Sequence, residues 1–122
     1  MHGSAGTVVA VVDDDEGVRE SLRFLLETAG FRVETFASGD QFLATCRRDR
    51  ACLVVDQNMP QLTGIELLQR LRARGCNLQV ALMTGSPSHD LTRRARELGA
   101  AMVLEKPLQD DALLQFVCRA AH

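Results

Sequence analysis

The chain has 122 residues, 46% of them apolar, with five Phe and neither Tyr nor Trp. That is the size of a single domain, able to bury roughly two-thirds of its unfolded surface, so a core of Leu, Val, Ala and Phe forms without staples. Fourteen basic against sixteen acidic residues give a formal charge of −2, which excludes a nucleic-acid module driven by a positive field, while the hydrophobicity excludes disorder and the lack of any ~20-residue apolar run excludes a membrane-spanning helix.

Residues 1–6 have neither a basic n-region nor an apolar h-region, so a cytoplasmic domain is expected, one unit over residues 1–122 with an ordered core at about 7–121. Residues 7–12 (TVVAVV) are a continuous β-branched run, the pattern of a strand buried on both faces. Asp13-Asp14-Asp15 ends it, and Asp15 or a neighbour can cap a helix over 16–29, whose Val18, Leu22, Leu25 and Leu26 share one face. Gly30 stops that helix in the C′ position. Residues 31–36 (FRVETF) alternate apolar and polar, as an edge strand does. Ser38-Gly39-Asp40 opens a second helix with Phe42, Leu43 and Cys46 inside.

Residues 52–55 (CLVV) form another buried strand, ended by Asp56 and followed by a loop, 57–63, that contains Met59-Pro60. The helix over 64–74 turns Ile65, Leu68 and Leu71 inwards and Arg70, Arg72 and Arg74 towards water. A strand at 78–83 ends at Thr84, and Gly85-Ser86-Pro87 turns the chain. The polar helix 89–98 has only Leu91, Ala95 and Leu98 on its apolar face, and Gly99 stops it. The last strand, 101–104, leads through Glu105-Lys106-Pro107 into a helix over 110–121. Strand and helix alternate five times with short connections, which demands right-handed crossovers and a parallel sheet covered on both faces. The expected fold is α/β, a flavodoxin-like (βα)5 doubly wound sheet in the order 2-1-3-4-5, with its ligand site outside the carboxyl ends of strands 1 and 3.

The chemistry gathers at those ends. Strand 1 delivers Asp13 and Asp14, strand 3 Asp56, strand 4 Thr84, and the last strand Lys106, the one lysine among the fourteen basic residues. Two carboxylates about 4 Å apart repel by roughly 4 kcal/mol at an effective dielectric near 20, and one ammonium cannot offset three such charges. The cluster therefore calls for a hard divalent cation, Mg²⁺ or Mn²⁺. Cys46, Cys52, Cys76 and Cys118 include no C-x-x-C pair, and His2, His89 and His122 stand at no ligand spacing from them, so they read as free thiols.

The segments VVDDDEGVRESL (11–22), LVVDQNMPQLTG (53–64), LMTG (82–85) and VLEKPL (103–108) together resemble the receiver domain of two-component response regulators, most closely the FixJ-type branch. The resemblance spans residues 8–120. It implies that Asp56 accepts a phosphoryl group from a histidine kinase or phosphotransfer protein. It implies that Asp13, Asp14, Asp56 and the backbone carbonyl of Asn58 hold Mg²⁺, and that Thr84 and Lys106 contact the phosphoryl oxygens. Asn58, Gly85 and Ser86 would tune phosphoryl lifetime and access. A transcriptional output is expected, with no direct nucleic-acid contact by this domain. The family often pairs through the fourth helix, fifth strand and fifth helix, where Arg93, Arg94 and Arg96 would face Glu105, Asp110 or Asp111 of a second copy. At Val103 the sequence departs from the family, which commonly has there an aromatic residue that swings inwards with the threonine.

Other readings are weaker. A haloacid-dehalogenase-type phosphohydrolase needs an acid two residues beyond its nucleophilic Asp, and Asn58 stands there. A nucleotide-binding protein needs G-x-G-x-x-G or G-x-x-x-x-G-K-[ST], and neither occurs. A receiver-like interaction module that no longer takes phosphate is disfavoured by the complete acidic, hydroxyl and lysine set. Arg47, Arg48 and Arg50, like the two later arginine clusters, lack interleaved aromatics and read as solvated faces.

Overall fold

The structure, a computed structural model, describes residues 8–45 and 50–121. Thr7, Cys46, Arg47 and Arg48, assigned above to a strand, a helix interior and a charged cluster, lie outside the described residues. Strands β1 (Val8–Val12), β2 (Arg32–Phe36), β3 (Arg50–Asp56), β4 (Gln79–Thr84) and β5 (Met102–Glu105) alternate with helices α1 (Glu16–Thr28), α2 (Gly39–Leu43), α3 (Gly64–Ala73), α4 (His89–Glu97) and α5 (Asp110–Ala121). The strands make one parallel sheet in the order β2-β1-β3-β4-β5, the expected winding.

Period-2 alternation sorts the sheet side chains into two cores. Ala10, Val12, Leu53, Val55, Val80 and Leu82 face α2, α3 and α4, where Phe42, Ile65, Leu68 and Leu91 meet them. Val9, Val11, Cys52, Val54, Ala81 and Met83 face α1 and α5, against Leu22, Leu26, Leu113 and Phe116. Each fully buried Leu, Val or Phe contributes about 1.5–3 kcal/mol relative to exposure, so these two layers fix where the strand ends lie. Burial also pushes the Cys52 thiol up to about 12, which makes it an inert packing residue. Helix starts follow the expected chemistry. Asp15 accepts from the Val18 N–H at 3.0 Å, Thr63 and Glu66 form a reciprocal capping box, and Ser88 caps α4.

Three differences from the sequence reading have physical causes. β3 extends beyond 52–55 because its ladder to β4 continues to the Asp56–Met83 pair, so Asp56 is the strand's last residue. Arg50 lies on no solvated face: it opens β3, is 6% exposed, and its Nε donates to Glu34 Oε1 at 2.7 Å. Its guanidinium stacks over the Phe36 and Phe42 rings, which shields it from water. Arg72 is half-buried and turned back onto backbone carbonyls.

Candidate functional site

β1, β3 and β4 are central, parallel and buried, so their carboxyl ends arrive side by side at the place where the strand order reverses. Asp13 follows β1 and its amide donates to the Phe36 carbonyl at 3.1 Å, which locks the turn against β2. Its carboxylate is fully buried, with Oδ1 accepting from the Asp15 N–H at 2.9 Å. Arg19 reaches back from α1 to the Asp13 carbonyl at 2.7 Å and fixes the same turn. Asp14, next along, is exposed. Asp56 is 4% exposed, and the loop after it folds tightly. The Gln57 N–H donates to Met83 O at 2.8 Å, and the Gln57 side chain accepts from the Ile65 N–H at 2.8 Å. Gly64 packs so closely under this loop that a Cβ there would strike Leu82 and stand 2.9 Å from the Asp56 carbonyl.

Lys106 enters from beyond β5, its own amide donating to Thr84 O at 2.8 Å. The ammonium donates to Asp13 Oδ2 at 3.0 Å and stands 3.1 Å from Asp56 Oδ1. The second contact is an ion pair poorly directed for hydrogen bonding, and Oδ1 of Asp56 is left buried with no hydrogen-bond partner. Burial first, and then the charge of Asp13, raise the Asp56 carboxyl above its ordinary value, against the pull of Lys106 and the Asn58 N–H. Burial works to lower Lys106, but its hydrogen bond to Asp13 and the charges of Asp13 and Asp56 outweigh it and raise the ammonium. One cation shared between two buried carboxylates accounts for both directions: the cation is favoured and the more weakly paired acid is not.

Asp13, Asp14 and Asp56 each offer an oxygen, all within 4.8 Å of one another. Hard oxygens, excess negative charge and an orphaned buried carboxylate oxygen together make an acidic pocket that can bind a metal ion. Thr84 is buried, and its hydroxyl oxygen accepts from the Ser86 N–H at 3.0 Å, which ties the turn after β4 to the strand end. Asn58, Gly85 and Ser86 are exposed around the mouth. Val103 is half-buried and packs on the α3/α4 core, paired with Leu82 across the ladder. The sequence reading missed Arg19 and the Gln57 side chain. Gln57 gave no periodic signal, but Arg19, six residues beyond a strand-ending Asp, lies within reach of that turn from the first helical turn.

Fold and site thus define a doubly wound α/β domain with an acidic, lysine-bearing pocket at its switch point. Residues 9–118 match the family described as response regulator receiver domain, and the chain belongs to that family. It is 47% identical over 110 residues to the transcriptional regulatory protein FixJ of Azorhizobium caulinodans, covering 89% of this chain and 52% of that protein. It is 39% identical over 117 residues to the C4-dicarboxylate transport transcriptional regulatory protein DctD of Pseudomonas aeruginosa, covering 95% of this chain and 25% of that protein. The crystal structure of FixJ-N superposes with a TM-score of 0.85 at 35% identity, covering 94% of this chain and 93% of that one. The chain spans about half the length of the FixJ relatives it matches. Among the described residues no helix is long and apolar enough to cross a membrane.

Proposed function

We propose that Asp56 is the phosphoacceptor. The observation that carries this reading is its buried carboxylate at the switch point, its Oδ1 without a hydrogen bond, beside Lys106 and two further aspartates. An Asp56 oxygen attacks phosphorus and forms the O–P bond, while the N–P bond of a donor phosphohistidine breaks and its electron pair returns to the imidazole. Phosphoryl transfer needs little beyond alignment and charge neutralisation. Lys106 supplies one compact positive charge at the equatorial oxygens, and the Thr84 hydroxyl donates to one of them after leaving the Ser86 turn. Asp13, Asp14, Asp56 and the Asn58 carbonyl would hold Mg²⁺, or Mn²⁺ in its place, which when bound supplies the missing positive charge beside the phosphoryl oxygens. Asn58, Gly85 and Ser86, at the exposed mouth, govern access of water and hence lifetime.

On this reading the domain is a cytoplasmic signalling acceptor and not a turnover enzyme, a single receiver unit served by a histidine kinase or phosphotransfer protein. Two relatives are named as transcriptional regulatory proteins, which supports a transcriptional output lying outside the receiver. Pairing of two copies runs through α4, β5 and α5. Arg93 is engaged inside its own helix with Asp90 and Glu97, so the exposed Arg94 and Arg96 are the ones offered to Glu105, Asp110 or Asp111 of a second copy. Incubation with acetyl phosphate and Mg²⁺ should add one phosphoryl mass to the chain, and Asp56→Asn should abolish it. Undiminished labelling of that variant would sink the assignment.

A further inference from the structure

Arg72, next to last in α3, ties the C-terminal end of α4 to the turn that follows α3. Its Nε donates to Leu98 O at 2.7 Å and its Nη2 to Gly99 O at 3.1 Å, both at the C-terminal end of α4. Nη1 donates to Cys76 O at 2.8 Å and Leu78 O at 3.0 Å, in the turn that follows α3. Carbonyls past the last turn of a helix have no intrahelical partner, and the helix dipole favours a cation there. One planar guanidinium satisfies four of them across two segments, which a point-charge ammonium cannot do.

The other end of α4 is held differently. Residues 85–90 are all exposed, Ser88 accepts from the Leu91 and Thr92 amides of its own helix, and Arg93 pairs with Asp90 and Glu97 of the same helix. Leu91 and Ala95 are the buried side chains of α4. The helix is therefore clamped by charged hydrogen bonds at its C-terminal end and attached to Thr84 through an exposed turn at its N-terminal end. We propose that Arg72 is the pivot of α4. When Thr84 moves, the N-terminal end swings and the C-terminal end stays pinned to α3, so the outer face changes tilt rather than position. This rests on the reading that Asp56 is phosphorylated and Thr84 responds.

The test uses the full chain, uniformly labelled for amide NMR, with Mg²⁺ and with or without beryllofluoride as phosphoryl mimic. In the wild type the shift changes along α4 should be largest near residue 89 and fade towards 98–100. Arg72→Ala and Arg72→Lys should flatten that gradient by releasing residues 98–100, with acetyl phosphate labelling of Asp56 unchanged. A uniform wild-type response, or a gradient preserved in both variants, overturns the pivot. A second arm needs no mimic. Hydrogen exchange at the Leu98, Gly99 and Ala100 amides should speed up by about tenfold in both variants, as loss of charged hydrogen bonds implies, with α1 unaffected. If the mimic shifts nothing around Asp13 and Asp56, the phosphoacceptor reading fails, while unchanged exchange at residues 98–100 overturns the pivot by itself. Should Arg72→Ala not fold, Arg72→Lys, which keeps the charge and loses the fork, carries both arms.

Discussion

Lys106 Nζ lies 3.0 Å from Asp13 Oδ2 although 93 residues of chain separate them, and the same ammonium is 3.1 Å from Asp56. A single ammonium thus pairs with two buried carboxylates, with Asp14 beside them. The sign of the resulting charge imbalance sets what each substitution does.

Asp56→Asn should stabilise the metal-free protein at neutral pH. The Asp56 carboxyl is raised above its ordinary value of 3.8, chiefly by burial and then by Asp13. A raised acid contributes its stability at low pH and loses it as pH rises through the folded value, so at pH 7 the ionised group opposes folding. The gain on removing it is on the order of 1 kcal/mol, about 4 °C in Tm for a domain of this size. Thermal melts in chelator should show the gap closing as pH falls towards 3.8. A variant that melts lower than wild type at pH 7 contradicts the account.

Lys106→Met should do the reverse. The ammonium is raised by Asp13 and Asp56 against the opposing effect of burial, so its stabilisation is present below the ordinary value of 10.5 and lost as pH rises through the folded value. Removing it leaves two buried carboxylates without their cation, a loss of about 3 kcal/mol or more at neutral pH. Mg²⁺ should restore part of that loss, measurable as a larger metal-induced rise in Tm than in the wild type. A metal-induced rise no larger than in the wild type counts against the shared-cation picture.

Asp14→Ala separates metal binding from folding. Asp14 is exposed, whereas Asp15 holds the cap on α1. Loss of Asp14 should weaken Mg²⁺ binding by at least about tenfold, as removal of one carboxylate ligand does, and leave the metal-free Tm equal or higher because a like charge is gone. Calorimetric titration with Mg²⁺ alongside melts in chelator reads both quantities. Intact affinity with a lowered Tm would make Asp14 a structural residue.

Gly64→Ala tests how tightly the Asp56 loop is packed. The added Cβ would meet Leu82 and the Asp56 carbonyl, which is backbone and cannot swing aside. Overpacking of this kind costs about 1–3 kcal/mol, and here the displaced atoms belong to the proposed phosphoacceptor. Denaturant melts and acetyl phosphate labelling should both suffer, while Gly85→Ala, where a Cβ meets nothing within 4 Å, should disturb stability little. Equal stability of the two variants would refute the close-packing argument.

The sheet and its site were legible because both depend on period and punctuation. The continuous apolar runs ending at Val12 and at Val55 carry the two-faced burial of central strands, and an aspartate follows each at the switch point. Gly30 stops α1 in a left-handed conformation at φ 99°, as its position implied. Arg50 and Arg72 were misread because charge alone says nothing about reach. Arg50 reaches across β1 to the edge strand β2, whose Glu34 and Phe36 enclose it, and that proximity is set by sheet order. Arg72 occupies a helix end where carbonyls of another segment gather, a fact of tertiary packing. A basic residue in a last helical turn was nevertheless a local hint of carbonyl contact.

Thr84→Ala should divide phosphoryl acceptance from the response. In the resting state the Thr84 hydroxyl oxygen accepts from Ser86, which ties the turn 84–86 to itself. A phosphoryl oxygen on Asp56 offers the hydroxyl a charged acceptor, and such bonds are roughly twice as strong as neutral ones. Taking it moves Thr84, whose carbonyl also holds the Lys106 amide, so β4 and the start of α4 shift together. Val103, half-buried against the α3/α4 core, has too few atoms to swing as an aromatic would, so the proposed change should travel through backbone displacement of residues 84–89. Thr84→Ala should still be labelled by acetyl phosphate, while its beryllofluoride-induced amide shifts stay within residues touching the mimic. Thr84→Ser keeps the hydroxyl and should retain the response in α4. Val103→Tyr should leave labelling unchanged and enlarge the shifts on the α4–β5 face. If wild-type shifts do not extend into residues 90–106 beyond direct contacts, no switch of this form operates, and the domain acts as a phosphate sink or a constitutive interaction module.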